Sequence, residues 1–230
     1  MTATDVASAE ETRFPGESQD YRRARNALLA AEVDLRRQVE AVAAQRRALP
    51  PGGRLAEDYV FSEGEDGRPV KLSELFGDRD ELILYSFMYG PKMEEPCPLC
   101  SSMLDALDGQ VKHITQRAAL AVVARSPIAR VRAAGAQRGW RNLRLLSSAQ
   151  NSYHPDYRGE NAQGDQLPML NVFTRRNGEI RHAYATELIF APSDPGQDGR
   201  PIDMIWPLWN VLDYTPSGRG ADFRPKLDYA

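Results

Sequence analysis

The chain of 230 residues holds two cysteines, and both fall in one motif, Cys97-Pro98-Leu99-Cys100. Two intervening residues let both sulfurs meet within one helical turn, at disulfide distance and with little loop strain. A thiol at a helix N-terminus also meets free backbone N–H groups and the positive end of the macrodipole, which favour thiolate over thiol. The pair therefore points to thiol–disulfide exchange. Cys97, nearer the helix tip, is the expected nucleophile, and Cys100, one turn in, the expected resolving thiol. With no further cysteine in the chain, neither is free to act as a long-range structural staple. Two rival readings stand beside this one. The first is a pair of inert buried thiols. The second is a Cu(I) site, in which Met93 or His182 adds a third ligand to the soft thiolates of Cys97 and Cys100. A lone histidine such as His182 is more simply an exposed strand residue or a hydrogen-bonded core residue. Zinc lacks support, because no second CxxC or histidine pair completes four ligands.

Such a pair needs elements to hold it. Before it runs an apolar stretch, Leu82, Ile83, Leu84, Tyr85, Phe87 and Met88, which ends at Gly90-Pro91 and reads as a buried strand. After it, Leu99, Met103, Leu107, Val111 and Ile114 recur at helical spacing, with Pro98 in the first turn where a missing N–H costs least. Upstream, residues 1–18 read as a disordered lead and 19–52 as a helical extension. Its helix runs from about Gln19 to Leu49 and is stopped by Pro50-Pro51-Gly52-Gly53. Leu28, Leu35, Val42 and Leu49 recur every seven residues, a stripe that packs on its own domain or on a second copy in a homodimer. Tyr59–Phe61 and Val70–Leu72 predict a hairpin, and Ser73–Gly77 a helical turn.

Downstream, Ala119–Ala124 reads as a second buried strand, and Pro127–Arg138 as a helix with Ser126 as N-cap and Gly139 as stop. Leu143–Leu146 suggests a short strand. The stretch 147–166 has no periodicity and reads as a polar surface insertion, which leaves His154 at the surface. Leu167–Phe173 and Glu179–Thr186 flank Asn177-Gly178, the strongest short hairpin signal. Ile202–Leu212 predicts a last helix with Pro207 in its first turn or at a kink, and 217–230 a tail. This order implies an α/β domain over 53–216, a mixed sheet with helices on both faces.

Composition narrows the partners. The formal charge of −3 gives no electrostatic case for nucleic acid or an anionic membrane. The first residues lack the apolar segment of a secretory signal. No apolar run approaches the ~18 residues that span a bilayer. The expected compartment is the cytoplasm, and the expected partner is a protein or a low-molecular-weight thiol or disulfide. No cofactor is called for outside the copper alternative.

The strand, the CxxC and the helix, together with Pro168 five residues before Phe173, resemble a thioredoxin-fold protein. The hairpin before them is similar to the AhpC/TSA, peroxiredoxin-like branch. From about Tyr21 to Tyr229, with LPMLNVFTRRNGEIRHAYATEL and WPLWNVLDYTP, the chain resembles a bacterial thioredoxin-like family of unknown function. The resemblance implies a three-layer α/β/α sandwich and a disulfide oxidoreductase, with a thiol peroxidase as the nearest alternative. It also implies a cis-proline at Pro168 facing the cysteines, so that Leu167 and Pro168, with Pro96 and Pro98 flanking Cys97, contact substrate. Thioredoxins bury an aspartate on the strand before the motif, and the matching place here is about Ser86; Glu94 or Glu95 stands as a substitute for proton transfer. Peroxiredoxins carry Thr or Ser three residues before the reactive cysteine. Glu94 stands there in this chain, and a carboxylate beside the sulfur is expected to raise its pKa.

Overall fold

The computed structural model describes residues 13–193, 195, 203–220 and 223–229. The expected lead lies mostly outside the described residues, as do parts of the C-terminal tail and the predicted start of the last helix at Ile202. The chain divides into two units, which meet in sequence between Pro50 and Pro51.

The first unit is built on α1, Gln19–Arg47. Ser18 caps it by accepting the Tyr21 N–H on its hydroxyl, and Arg46 and Arg47 sit in the last turn, where the macrodipole favours cations. Leu28, Leu35 and Leu49 of its heptad stripe are all more than half exposed.

The second unit is a seven-stranded mixed sheet. Its strands are β1 (Val60–Glu63), β2 (Arg68–Lys71), β3 (Glu81–Phe87), β4 (Ala119–Ala124), β5 (Leu145–Ser147), β6 (Met169–Arg176) and β7 (Glu179–Ala185). They lie in the order β2-β1-β5-β4-β3-β6-β7. β3 is an interior strand, parallel to β4 and antiparallel to β6, and β6 and β7 form the hairpin around Asn177-Gly178. Both turn residues adopt positive φ, as such a turn requires. The helices are α2 (Leu72–Leu75), α3 (Pro98–Asp108), α4 (Val111–Ile114), α5 (Ile128–Arg138), α6 (Tyr153–Asp156) and α7 (Pro207–Leu212).

Strand alternation divides the core in two. Leu82 and Leu84 of β3, with Ala121, Val123 and Phe173, face α2 and α6 in a cluster with Tyr59, Phe61, Phe76 and Tyr153. Tyr85 and Phe87, with Val122 and Ala124, face the other way, onto α3, α5 and α7, in a cluster with Cys100, Met103, Leu104, Val131 and Trp206. Helices on both faces give the three layers expected.

Several local expectations need correction. The helical face from Leu99 to Ile114 belongs to two helices, because α3 ends at Gly109 before α4 begins. The short strand sits at Leu145–Ser147. Pro127, not Ser126, occupies the N-cap position of α5, and the Ser126 hydroxyl instead donates to the Gly90 carbonyl at 3.0 Å. The last helix starts at Pro207, which takes its first position, after a 3-10 turn at Asp203–Ile205. The largest correction concerns 147–166. Ser147, Ser148, Tyr153 and His154 are buried, and Tyr153 fills the centre of one core. The stretch is polar in sequence yet partly buried, because its polar groups bond one another and Arg125. That guanidinium holds the carbonyls of Ser148 (2.9 Å) and Asn151 (2.7 Å) and the Glu160 carboxylate.

Candidate active site

The cysteines sit where an interior strand delivers them. From the end of β3 the chain makes a loop, residues 88–96, and returns so that the Cys97 N–H donates to the Met88 carbonyl at 3.0 Å. Cys97 is the N-cap residue of α3 and Pro98 its first residue, so the proline's lost N–H costs no helical bond. The loop is pinned from two sides. The Ser126 N–H and hydroxyl bind the Tyr89 and Gly90 carbonyls. Arg130 of α5 donates to the carbonyls of Pro91, Met93 and Glu94, with its guanidinium 4.6 Å from the centre of the Tyr89 ring.

The two thiols are free and unequal. Cys97 is half-buried and Cys100 only 4% exposed. The neighbouring Cys100 thiol, followed after burial by the N–H groups of Cys100 and Leu99, favours negative charge on the Cys97 sulfur. Against the opposing effect of partial burial, these donors hold the Cys97 pKa down, to about 6. Cys100 goes the other way. Donation to Cys97, burial and the neighbouring negative charge all hold its proton on, while the Tyr85 hydroxyl and the Met88 N–H act in the opposite sense. The two shifts run in opposite directions, which favours negative charge on Cys97 and keeps the proton on Cys100.

This overturns the expected influence of Glu94. Glu94 and Glu95 are exposed, and the groups that set the Cys97 charge are a thiol and backbone amides. Ser86 also departs from expectation. It is buried on the far face of β3, opposite Met169, and its Oγ has no hydrogen-bond partner. The side chain that reaches the thiols from β3 is Tyr85, fully buried in the thiol-side core. Its hydroxyl makes no well-formed hydrogen bond, yet it lies close enough to Cys100 for each to act on the other's ionisation. Sequence reasoning gave Tyr85 a packing role. The alternation that faces it and Phe87 toward the CxxC helix was the available signal.

Met93 shares the thiol-side cluster with Cys97, and its sulfur accepts the Gly90 N–H at 3.2 Å. His182 is elsewhere. Paired with Phe173 on the opposite face, its Nε2 meets Asn171 Oδ1 at 2.9 Å and its ring packs on Tyr157 and Phe173. It does not join the cysteines. Among the described residues, no group of three or more His, Cys, Asp or Glu side chains is placed to hold a metal ion. Pro96 and Pro98 flank Cys97, both half-buried. Pro168 stands one residue beyond the Met169–Ser86 pair, beside the end of β3, and Leu167 binds back to the Gly159 carbonyl through its N–H at 2.9 Å. The described residues contain no cis peptide bond, so the Leu167–Pro168 bond is trans, against expectation.

The four-strand run β4-β3-β6-β7, with a parallel first pair, an antiparallel last pair and a helix that begins at a CxxC, defines a thioredoxin-fold protein. Residues 11–229 match a family model described as "Bacterial protein of unknown function (DUF899)", and the chain belongs to that family. Solved structures with similarity to it include a hypothetical protein from Sinorhizobium meliloti, 22% identical, covering 68% of this chain and 80% of its own, TM-score 0.43. A cysteine-to-serine mutant of PrxQ from Xylella fastidiosa is 14% identical over 60% of this chain and 84% of its own, TM-score 0.47. AhpC from Enterococcus faecalis is 14% identical over 70% of this chain and 91% of its own, TM-score 0.46. No curated protein matches the chain. Among the described residues, no helix is long and apolar enough to cross a membrane.

Proposed function

We propose that this protein is a thiol–disulfide oxidoreductase that cycles Cys97 and Cys100 between dithiol and disulfide. The observation that carries the reading is the inequality of the two thiols. One is half-buried at a helix tip, where nearby donors lower its pKa; the other is buried beside it, with its pKa raised. That division suits a nucleophile and a resolving group. The Cys97 thiolate attacks a substrate disulfide, one substrate thiol leaves, and a mixed disulfide forms. Cys100 then attacks the Cys97 sulfur, the internal disulfide closes and the second substrate thiol departs.

Substrate, a protein or low-molecular-weight disulfide, approaches past Pro96 and Pro98 on one side and Leu167 and Pro168 on the other. No cofactor takes part. The test is equilibration in glutathione and dithiothreitol buffers, with alkylation of remaining thiols and mass measurement. The expected result is a single two-thiol transition, both cysteines lost together. Retention of both free thiols across the whole range overturns the reading. Rapid oxidation by stoichiometric hydrogen peroxide, with no reaction toward disulfides, would replace it with a thiol peroxidase. Retention of one Cu(I) through dialysis, lost on Met93→Ala, would replace it with a copper carrier.

A further inference from the structure

Among the buried groups that the mechanism leaves without a task, one lies beside the thiols. Tyr85 is fully buried, and its hydroxyl has no hydrogen-bond partner of good geometry. An orphaned buried hydroxyl is costly, because it gives up its hydrogen bonds to water and gains none in return. It stands against Cys100 in the thiol-side core, carried by β3 two residues before the strand ends at Phe87. A phenylalanine would fill the same space without that cost.

We propose that the Tyr85 hydroxyl is the hydrogen-bond donor for the resolving step, satisfied when Cys100 becomes the attacking sulfur. This rests on the thiol–disulfide reading above. In the resting dithiol, the Cys97 sulfur is the acceptor that acts most strongly on the Cys100 thiol. Formation of the mixed disulfide removes that acceptor. The groups left facing the Cys100 sulfur are then donors, the Tyr85 hydroxyl and the Met88 N–H. Both stabilise negative charge on that sulfur. As Cys100 attacks, the bond between Cys97 and the substrate sulfur breaks and the Cys97–Cys100 bond forms. The Cys100 proton leaves with the departing substrate thiol, and the motif is oxidised by the two electrons the substrate gains. Tyr85 donates a hydrogen bond and keeps its own proton. Burial and the neighbouring sulfurs hold its ionisation far above the usual tyrosine range, so it acts as a donor and never as a base. The aspartate that thioredoxins bury before the motif, whose matched place here is Ser86, has no buried carboxylate counterpart on this face of β3.

The test is a single turnover with one equivalent of dithiobis(nitrobenzoate). The first thionitrobenzoate released reports attack by Cys97, and the second reports resolution by Cys100. Tyr85→Phe removes an oxygen that makes no other bond and keeps the ring, so the variant should fold. The first phase should keep its rate and its pH midpoint of about 6. The second should slow about tenfold or more, the worth of a hydrogen bond to a charged group, and its pH profile should move to higher pH. Tyr59→Phe serves as control, because it removes a buried phenol from the opposite core, where the hydroxyl donates to Asp156 at 2.8 Å. It should leave both phases intact. An unchanged second phase in Tyr85→Phe, or an equal slowing in Tyr59→Phe, overturns the proposal while the oxidoreductase reading stands. A wild type that never releases the second thionitrobenzoate overturns both.

Discussion

The two faces of the sheet bury titratable groups with opposite consequences. On one, Cys97 and Cys100 meet Tyr85 among apolar side chains. On the other, His154 and Ser86 are both fully buried; His154 Nδ1 lies 2.6 Å from the Ser148 hydroxyl, while its Nε2 and the Ser86 Oγ lack partners. Burial, followed by the positive charge of Arg125, holds the His154 pKa down to about 3. That histidine is neutral and sealed. Cys97 is half-exposed, and donors rather than burial dominate its ionisation. A perturbed group becomes a reactive one only with access and with neighbours that stabilise its charged form.

The comparison breaks first at the sulfurs. Cys97→Ser should abolish disulfide exchange altogether, whereas Cys100→Ser should leave mixed disulfides that persist on non-reducing gels. The converse change is Gly159→Ala. Its Cβ would stand 2.6 Å from the His154 ring and 2.9 Å from Ser86 Oγ, both enclosed, so unfolding stability should fall by about 1–3 kcal/mol. Cys97 alkylation in the folded protein should not move.

Acid gives the next contrast. The folded-state pKa of His154 lies below the ordinary value of 6.5, so the unfolded chain binds the proton more readily. Its contribution to stability is complete above pH 6.5 and is lost progressively as pH falls toward about 3. Urea midpoints measured across that window should decline less in His154→Gln than in the wild type. The smallest expected effect belongs to Arg130→Gln. Loss of its hydrogen bonds to the carbonyls of Pro91, Met93 and Glu94 should cost about 1 kcal/mol. The pH midpoint of Cys97 alkylation should hold, since neighbouring thiol and amide groups set it.

Much of this was legible because it is local. An apolar strand, a turn, a CxxC and a helical repeat follow one another within 34 residues, from Glu81 to Ile114, and the Asn177-Gly178 hairpin carries its own turn chemistry. What could not be read was anything that depends on one residue of phase or on distant partners. The match of Ser86 to a buried acid fails because strand side chains alternate; one step along β3 exchanges the thiol face for the other. The stretch 147–166 looked like surface because its serines, tyrosine and histidine are polar. They are buried by partners such as Arg125 and Asn171, which no periodicity announces.

By itself, then, the sequence determined the fold class and the identity of the two thiols, since strand, turn and helix signals act over a few residues. The tertiary structure decided which strand residue meets Cys100 and that His182 lies across the sheet from the cysteines. Those outcomes depend on register, burial and hydrogen bonds between segments far apart in the chain, and these exist only once the sheet has formed.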